Sequence, residues 1–170
     1  MTSGSTLILG GARSGKTRRA LALAEAFSNR IYIATAEALD EEMSARIAQH
    51  RHERRDAWMT IEAPLELAGA IRDIEDASTV CVVDCLTLWL SNLMATGRDV
   101  AAAAEDLCRA IQGARPRLVI VSNEVGLGLV PETPLGREFR DRQGRLNQAV
   151  AAVADEVEFI AAGLPLRLKP

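Results

Sequence analysis

Aromatic side chains are scarce in this chain: three Phe, two Trp and one Tyr, 4% of 170 residues. Proteins that grip single-stranded nucleic acid stack its bases on such rings, so a strand-binding surface has little to be built from. Excess positive charge is missing as well. The 20 Lys and Arg stand against 23 Asp and Glu, giving a net charge of −3 and a pI near 5.5. That balance disfavours general nucleic-acid binding, which draws most of its affinity from a basic surface. No apolar run approaches the roughly 20 residues of a membrane span. Met1-Thr2-Ser3-Gly4 leads straight into an apolar strand, leaving no room for a signal peptide, and a cytoplasmic location is the expectation. Cysteine is sparse too. Cys81, Cys85 and Cys108 are odd in number and match no zinc spacing, which argues against a disulfide framework or a metal site; Cys81 falls mid-strand and reads as a small core residue.

What is present is an ordinary soluble composition, 48% hydrophobic and 25% charged, in a chain of one-domain length spanning residues 1–170. Apolar strands and helical segments alternate. Thr6 to Leu9, Arg30 to Ala36, Met59 to Glu62, Thr79 to Asp84 and Leu118 to Ser122 read as strands. Helices are expected from Arg18 to Ala26, Glu41 to Gln49 with Asp40 as its cap, Pro64 to Ile74, Leu86 to Met94 and Asp99 to Ile111. A longer one begins at Pro134, with Phe139, Leu146, Val150 and Val153 on one face. Glu158 to Ala162 and Leu164 to Leu168, joined at Gly163, read as two closing strands. The continuous apolar character of Thr79–Asp84 and Leu118–Ser122 requires cover on both sheet faces. These features predict a single α/β domain with a mostly parallel sheet flanked by helices. The loop Val125 to Pro131 is apolar yet glycine-containing and is expected to pack against something.

The stretch that organises the rest is Gly10-Gly11-Ala12-Arg13-Ser14-Gly15-Lys16-Thr17, which fits G-x-x-x-x-G-K-[ST]. Lying between a strand and a helix, its backbone N–H groups and the positive end of the helix dipole would face a polyphosphate. Lys16 would reach the β- and γ-phosphates, and the Thr17 hydroxyl would ligate Mg²⁺. Ligands of parallel α/β sheets sit at the C-terminal strand ends, where the chain also delivers Ala34-Thr35-Ala36, Asp84 and Asn123-Glu124. Asp84 has two readings: the acidic residue that orients Mg²⁺, or the N-cap of the following helix. Glu124 could serve as a general base, a cap or a salt-bridge partner; Glu62 says little alone, and Arg13 suggests an extra phosphate contact.

His50 and His52, the only histidines, lie in the densest charged cluster, His50-Arg51-His52-Glu53-Arg54-Arg55-Asp56. Neutral imidazole is a competent nucleophile toward phosphorus, and neighbouring arginines could hold the attacked phosphates and a leaving pyrophosphate. The alternative is a solvated charged helix end, with cations favourably placed near a helix C-terminus.

Taken together, the motifs resemble the bifunctional adenosylcobinamide kinase / adenosylcobinamide-phosphate guanylyltransferase family of cobalamin biosynthesis. The resemblance runs through the phosphate loop, Tyr32-Ile33-Ala34-Thr35-Ala36, Arg46-Ile47 with His50-Arg51 and Arg54, and Trp58-x-Thr60-x-Glu62. It continues through Asp84-Cys85-Leu86-Thr87, Asn123-Glu124-Val125-Gly126 to Val130-Pro131, and Phe139-Arg140-Asp141 with Gly144, Asn147 and Gln148. The resemblance implies a RecA-like phosphate-loop NTPase fold with strands near the C-terminus closing the sheet. It implies two reactions, with GTP and ATP as co-substrates and Mg²⁺ as cofactor. A nucleoside triphosphate phosphorylates adenosylcobinamide, and GMP from GTP then passes through a GMP-histidine intermediate to the phosphorylated substrate, giving adenosylcobinamide-GDP. By the same resemblance His50 is the guanylylated histidine and, with Lys16, catalytic. Nucleotide contacts fall on Gly10 to Thr17, Ala34, Thr35, Ala36, Arg51, His52, Glu53, Arg54, Glu62 and Asp84, and the metal on Thr17 and Asp84. A homotrimer is implied, with no nucleic-acid partner. Arg55 departs from the family's common Pro, and Thr17 from its commoner Ser. No motif announces the corrinoid site, which is expected near Asn123 to Pro131 or at a subunit boundary. The rival readings are a phosphate-loop kinase of another small metabolite and a RecA-like module regulating a partner.

Overall fold

The computed structural model describes residues 4–37 and 58–170. The expected helix from Glu41 and the cluster His50 to Asp56, including Arg51, His52, Glu53 and Arg54, lie outside the described residues. In chain order the elements are β1 (Ser5–Gly10), α1 (Lys16–Ala24), β2 (Asn29–Ala34), β3 (Met59–Glu62), α2 (Leu67–Arg72) and β4 (Thr79–Asp84). They continue with α3 (Leu86–Ala95), α4 (Val100–Gln112), β5 (Arg117–Asn123), α5 (Pro134–Val153), β6 (Glu156–Ala161) and β7 (Leu164–Lys169). The seven strands among the described residues form one sheet in the order β3-β2-β4-β5-β1-β6-β7. Every pairing is parallel except that of β6 with β7, which run antiparallel through a tight turn.

Both faces are covered, as the unbroken apolar strands require. Successive side chains of β1 point to opposite sides, yet Leu7, Ile8 and Leu9 are all buried. Leu7 and Leu9 join a core with Trp89, Leu90, Leu107 and Leu146 from α3, α4 and α5. Ile8 packs on the other face with Ala20 and Ala24 of α1, Val80 and Val82 of β4, and Tyr32. The small side chains of α1 let that helix lie close to the sheet. Its outer edge is fastened to β6 by Arg19, which donates from Nε and Nη2 to the two carboxylate oxygens of Glu158 at 2.8 and 2.7 Å.

Two expectations need correction. The segment opened by Pro64 becomes helical only at Leu67. Before that, the Pro64 and Leu65 carbonyls accept hydrogen bonds from Asn92 Nδ2 (3.1 Å) and Trp89 Nε1 (2.9 Å), so α3 takes up acceptors that an earlier helix start would use. The apolar loop after β5 does not pack into this chain: Leu127 and Leu129 are 82% and 96% exposed. The loop is held by polar contacts at its ends, Gly126 N to Glu124 Oε1 at one and Arg137 Nη1 to the Pro131 and Glu132 carbonyls at the other. Cys81 is fully buried in β4, as its mid-strand position implies.

Candidate active site

The loop between β1 and α1 turns at the C-terminal edge of the central strands. Gly15 caps α1 with φ 101°, a conformation that a side chain would strain, and Arg13 lies in the left-handed region at φ 55°. The curl is pinned on two sides. Glu124 N donates to the Gly10 carbonyl at 3.0 Å, and Gly163 N, in the β6–β7 turn, donates to the Ser14 carbonyl at 2.8 Å. Gly10 itself has no room for a side chain, since an added Cβ would fall 2.6 Å from the Ile160 carbonyl oxygen.

Lys16 is buried at 7% exposure, and its ammonium donates to the Gly11 carbonyl within the loop. Burial pulls its pKa below the ordinary lysine value, and the negative charge of Asp84 opposes that shift. Asp84, at the end of β4, accepts at Oδ2 from Thr17 Oγ1 (2.9 Å) and from Tyr32 OH (2.8 Å). The two readings of Asp84 thereby separate. The N-cap residue of α3 is Cys85, with no side-chain cap bond, while the Asp84 carboxylate reaches across to the phosphate loop. A hydroxyl and a carboxylate in contact are hard oxygen donors of the kind Mg²⁺ takes, with water and phosphate filling the rest of its octahedron. The residues fit the ion.

Other residues named from the sequence fall differently. Ala34 ends β2 beside Asp84 in register, and Ala36 follows at intermediate exposure. Thr35, between them, is fully buried, and its hydroxyl donates to the Cys85 carbonyl (2.7 Å) and accepts from Cys85 N (2.8 Å). Its side chain braces the β4–α3 junction. Asn92 Nδ2 completes this brace by donating to the Thr35 carbonyl at 2.8 Å. Glu62 ends the edge strand β3, exposed and in register with Ala34.

Beneath Asn123 and Glu124 lies a polar cluster that the apolar face of α5 did not announce. Ser122 Oγ donates to Asn147 Oδ1 (2.7 Å), Gln143 Nε2 donates to both, and Asn147 Nδ2 donates to the Asn123 carbonyl (3.1 Å). Gln143 and Asn147 interrupt the stripe of Leu146 and Val150; Asn147 was visible as part of a motif, and Gln143 was hidden among surface polar residues. Tyr32 was visible as part of a motif, but its hydroxyl contact depends on a strand register the sequence does not show.

With this geometry in hand, comparison with known proteins is decisive. The profile of the family described as cobinamide kinase / cobinamide phosphate guanyltransferase matches residues 6–168. The chain belongs to this family. It is 46% identical over 166 residues to the bifunctional adenosylcobalamin biosynthesis protein CobP of Pseudomonas aeruginosa, covering 96% of each chain. It is 38% identical over 178 residues to the bifunctional adenosylcobalamin biosynthesis protein CobU of Escherichia coli, covering 96% of this chain and 98% of that one. Among solved structures, this cobinamide kinase / guanyltransferase family member shares its fold with the P4 protein of bacteriophage phi6 in complex with ADP. There the TM-score is 0.52 at 17% identity, covering 97% of this chain and 53% of that one. It likewise resembles an ATPase of a bacterial type III secretion system, with TM-score 0.51 at 11% identity, 96% of this chain and 56% of that one being covered. The expected phosphate-loop NTPase fold is the observed one.

Proposed function

We propose that this chain, acting as one nucleotide-binding domain, phosphorylates adenosylcobinamide with a nucleoside triphosphate and then converts the product to adenosylcobinamide-GDP with GTP. The observation that carries the reading is the meeting of Lys16, Thr17 and Asp84 at the strand ends of a chain matched by the family over residues 6–168. In the kinase step the aminopropanol hydroxyl of the substrate attacks the γ-phosphorus and the nucleoside diphosphate leaves. The loop N–H groups and Lys16 hold the phosphates in line; positioning and charge neutralisation are most of what such a transfer needs. Bound at Thr17 and Asp84, Mg²⁺ supplies further neutralisation of phosphate charge. ATP and GTP both fit the loop, which contacts phosphates rather than bases.

In the guanylyltransferase step the His50 imidazole attacks the α-phosphorus of GTP and pyrophosphate departs. A phosphate oxygen of adenosylcobinamide phosphate then attacks the same phosphorus and releases the imidazole. Splitting one displacement into two suits histidine, a nucleophile that is also a good leaving group from phosphorus. Arg51 and Arg54 would neutralise the phosphates, and Ala34, Thr35, Ala36, His52, Glu53 and Glu62 complete the proposed nucleotide contacts. The corrinoid would lie along Asn123 to Pro131, whose exposed Leu127 and Leu129 offer apolar contact beside the strand ends. A homotrimer in the cytoplasm belongs to the same reading, and sedimentation of the purified protein checks the assembly.

The test is labelling with GTP carrying its label on the α-phosphate, on wild type, His50→Ala and His52→Ala. Label stable in alkali, lost in acid and absent only from His50→Ala is the expected result. No label on any variant during turnover would reduce the protein to a phosphate-loop kinase. For the corrinoid loop, replacing Leu127 and Leu129 by Ser should lower kinase activity while GMP labelling persists; full kinase activity would remove the loop from the site.

A further inference from the structure

Tyr32 is the only tyrosine in the chain, and its position in β2 is specific. It pairs in register with Val82, and Ala34 with Asp84, so Tyr32 and Asp84 are diagonal neighbours on one face of the sheet. That spacing lies within reach of an aromatic side chain. The ring is 3% exposed and packs among Ile8, Val80 and Val82 beneath α1. To fill that space the ring alone would suffice, and Phe would do so without a polar atom to satisfy. The hydroxyl instead donates to Asp84 Oδ2 at 2.8 Å, the same oxygen that accepts from Thr17 Oγ1 at 2.9 Å. The ring is fixed from its other side by Trp58, whose indole meets it edge-on, with centroids 6.3 Å apart and planes at 86°. Trp58 immediately precedes β3.

We propose that Tyr32 is a positioning residue: its hydroxyl holds the Asp84 carboxylate in the orientation that serves a divalent cation at the phosphate loop. The proposal rests on the reading of Asp84 as the carboxylate for that cation. With Oδ2 occupied by two donors, one from β2 and one from α1, the carboxylate cannot rotate freely about its Cβ–Cγ bond, and Oδ1 is left in a set direction. Donors that orient metal-binding groups in this way typically govern metal affinity by about 10- to 100-fold. Without the phenol, Asp84 keeps only the Thr17 bond among the described residues, and the carboxylate samples rotamers that do not serve the ion.

The experiment titrates Mg²⁺ against binding of a fluorescent, non-hydrolysable β,γ-imido GTP analogue to wild type, Tyr32→Phe and Asp84→Asn. Tyr32→Phe is expected to raise the half-saturating Mg²⁺ concentration by about 10-fold, with binding of the analogue in EDTA unchanged. A tyrosine that merely fills the core would alter melting and leave the Mg²⁺ dependence alone. An unaltered Mg²⁺ dependence in Tyr32→Phe, with a raised one in Asp84→Asn, overturns the role of Tyr32 and spares that of Asp84. An unaltered dependence in Asp84→Asn overturns both. Incorporating 3-fluorotyrosine into the full chain gives a second measurement that needs no substitution at position 32. The single ¹⁹F resonance should move when Mg²⁺ is added to the analogue complex, and should not move in Asp84→Asn. A resonance that stays still in wild type refutes the proposal.

Discussion

Two adjacent glycines of the phosphate loop should behave in opposite ways. At Gly10 an added methyl would lie 2.6 Å from the Ile160 carbonyl oxygen and 2.7 Å from Ser14 Oγ, whereas at Gly11 it would meet nothing within 4 Å. Close carbon–oxygen contacts are about 3.3 Å or longer, so Gly10→Ala obliges some atom to move by roughly 0.7 Å. The serine hydroxyl can rotate away. The Ile160 carbonyl cannot, because it belongs to β6, in register with Gly10 across a parallel pairing. Overpacking of this kind costs about 1–3 kcal/mol. The strain falls where β1 becomes the loop, and a misplacement near 1 Å of groups that align a reacting ligand costs on the order of 100-fold in rate. Urea denaturation followed by circular dichroism, with nucleotide affinity measured on the same preparations, provides the assay. Gly10→Ala should lose about 1–3 kcal/mol and bind nucleotide at least about 10-fold more weakly. Gly11→Ala should unfold within about 0.5 kcal/mol of wild type. If Gly10→Ala unfolds and binds like wild type, the close approach of β6 does not constrain the loop and the reasoning fails.

Asn92→Ala removes the donor to two carbonyls, those of Thr35 and Pro64, and should destabilise by about 2–6 kcal/mol at the roughly 1–3 kcal/mol typical of each buried group left unpaired; Thr35 is itself fully buried, so a loss under about 0.5 kcal/mol in urea melts would contradict the brace. Glu158 is held below its ordinary value of 4.5 chiefly by the hydrogen bond from Arg19. Because the folded value is depressed, its stabilisation is complete above pH 4.5 and fades as pH falls through the depressed value. The stability gap between wild type and Glu158→Gln should therefore be flat at neutral pH, about 1–3 kcal/mol for a charge-assisted pair, and shrink below that point; a gap that widens in acid would reverse the argument. Burial pushes the Cys81 thiol up to about 12 and the Cys85 thiol to about 11. Cys108 is only half-buried on α4, so a thiol reagent at pH 8 should titrate one cysteine quickly in the native protein and all three only after denaturation.

Much of the fold was legible because its signals are local. The loop motif needs only a strand before it and a helix after it, and the unbroken apolar runs of β4 and β5 report cover on both faces without reference to their neighbours. Asp84 could be placed at a strand end, but its choice between capping α3 and facing Thr17 depends on which strands lie side by side. The same holds for Tyr32, whose hydroxyl acquires a purpose only once β2 and β4 are in register. Thr35 could be placed at a strand end, but the bonds of its hydroxyl to Cys85 depend on how β2 and β4 lie side by side. Gln143 escaped because a helix face is judged by its apolar members, and Asn147 entered only as part of a motif, without its partners.

The β6–β7 turn, joined to Ser14 through Gly163, bears on how the protein comes into being during synthesis. β1 and the phosphate loop leave the ribosome before the other strands of the sheet, but β1 finds its two sheet neighbours only in β5 and β6, more than 100 positions later. The backbone bond that steadies the loop arrives only with Gly163, well after Ser14 has been made. A growing chain therefore carries its nucleotide motif long before it has a nucleotide site. The nascent polypeptide should gain affinity for triphosphate in a single late step rather than by degrees.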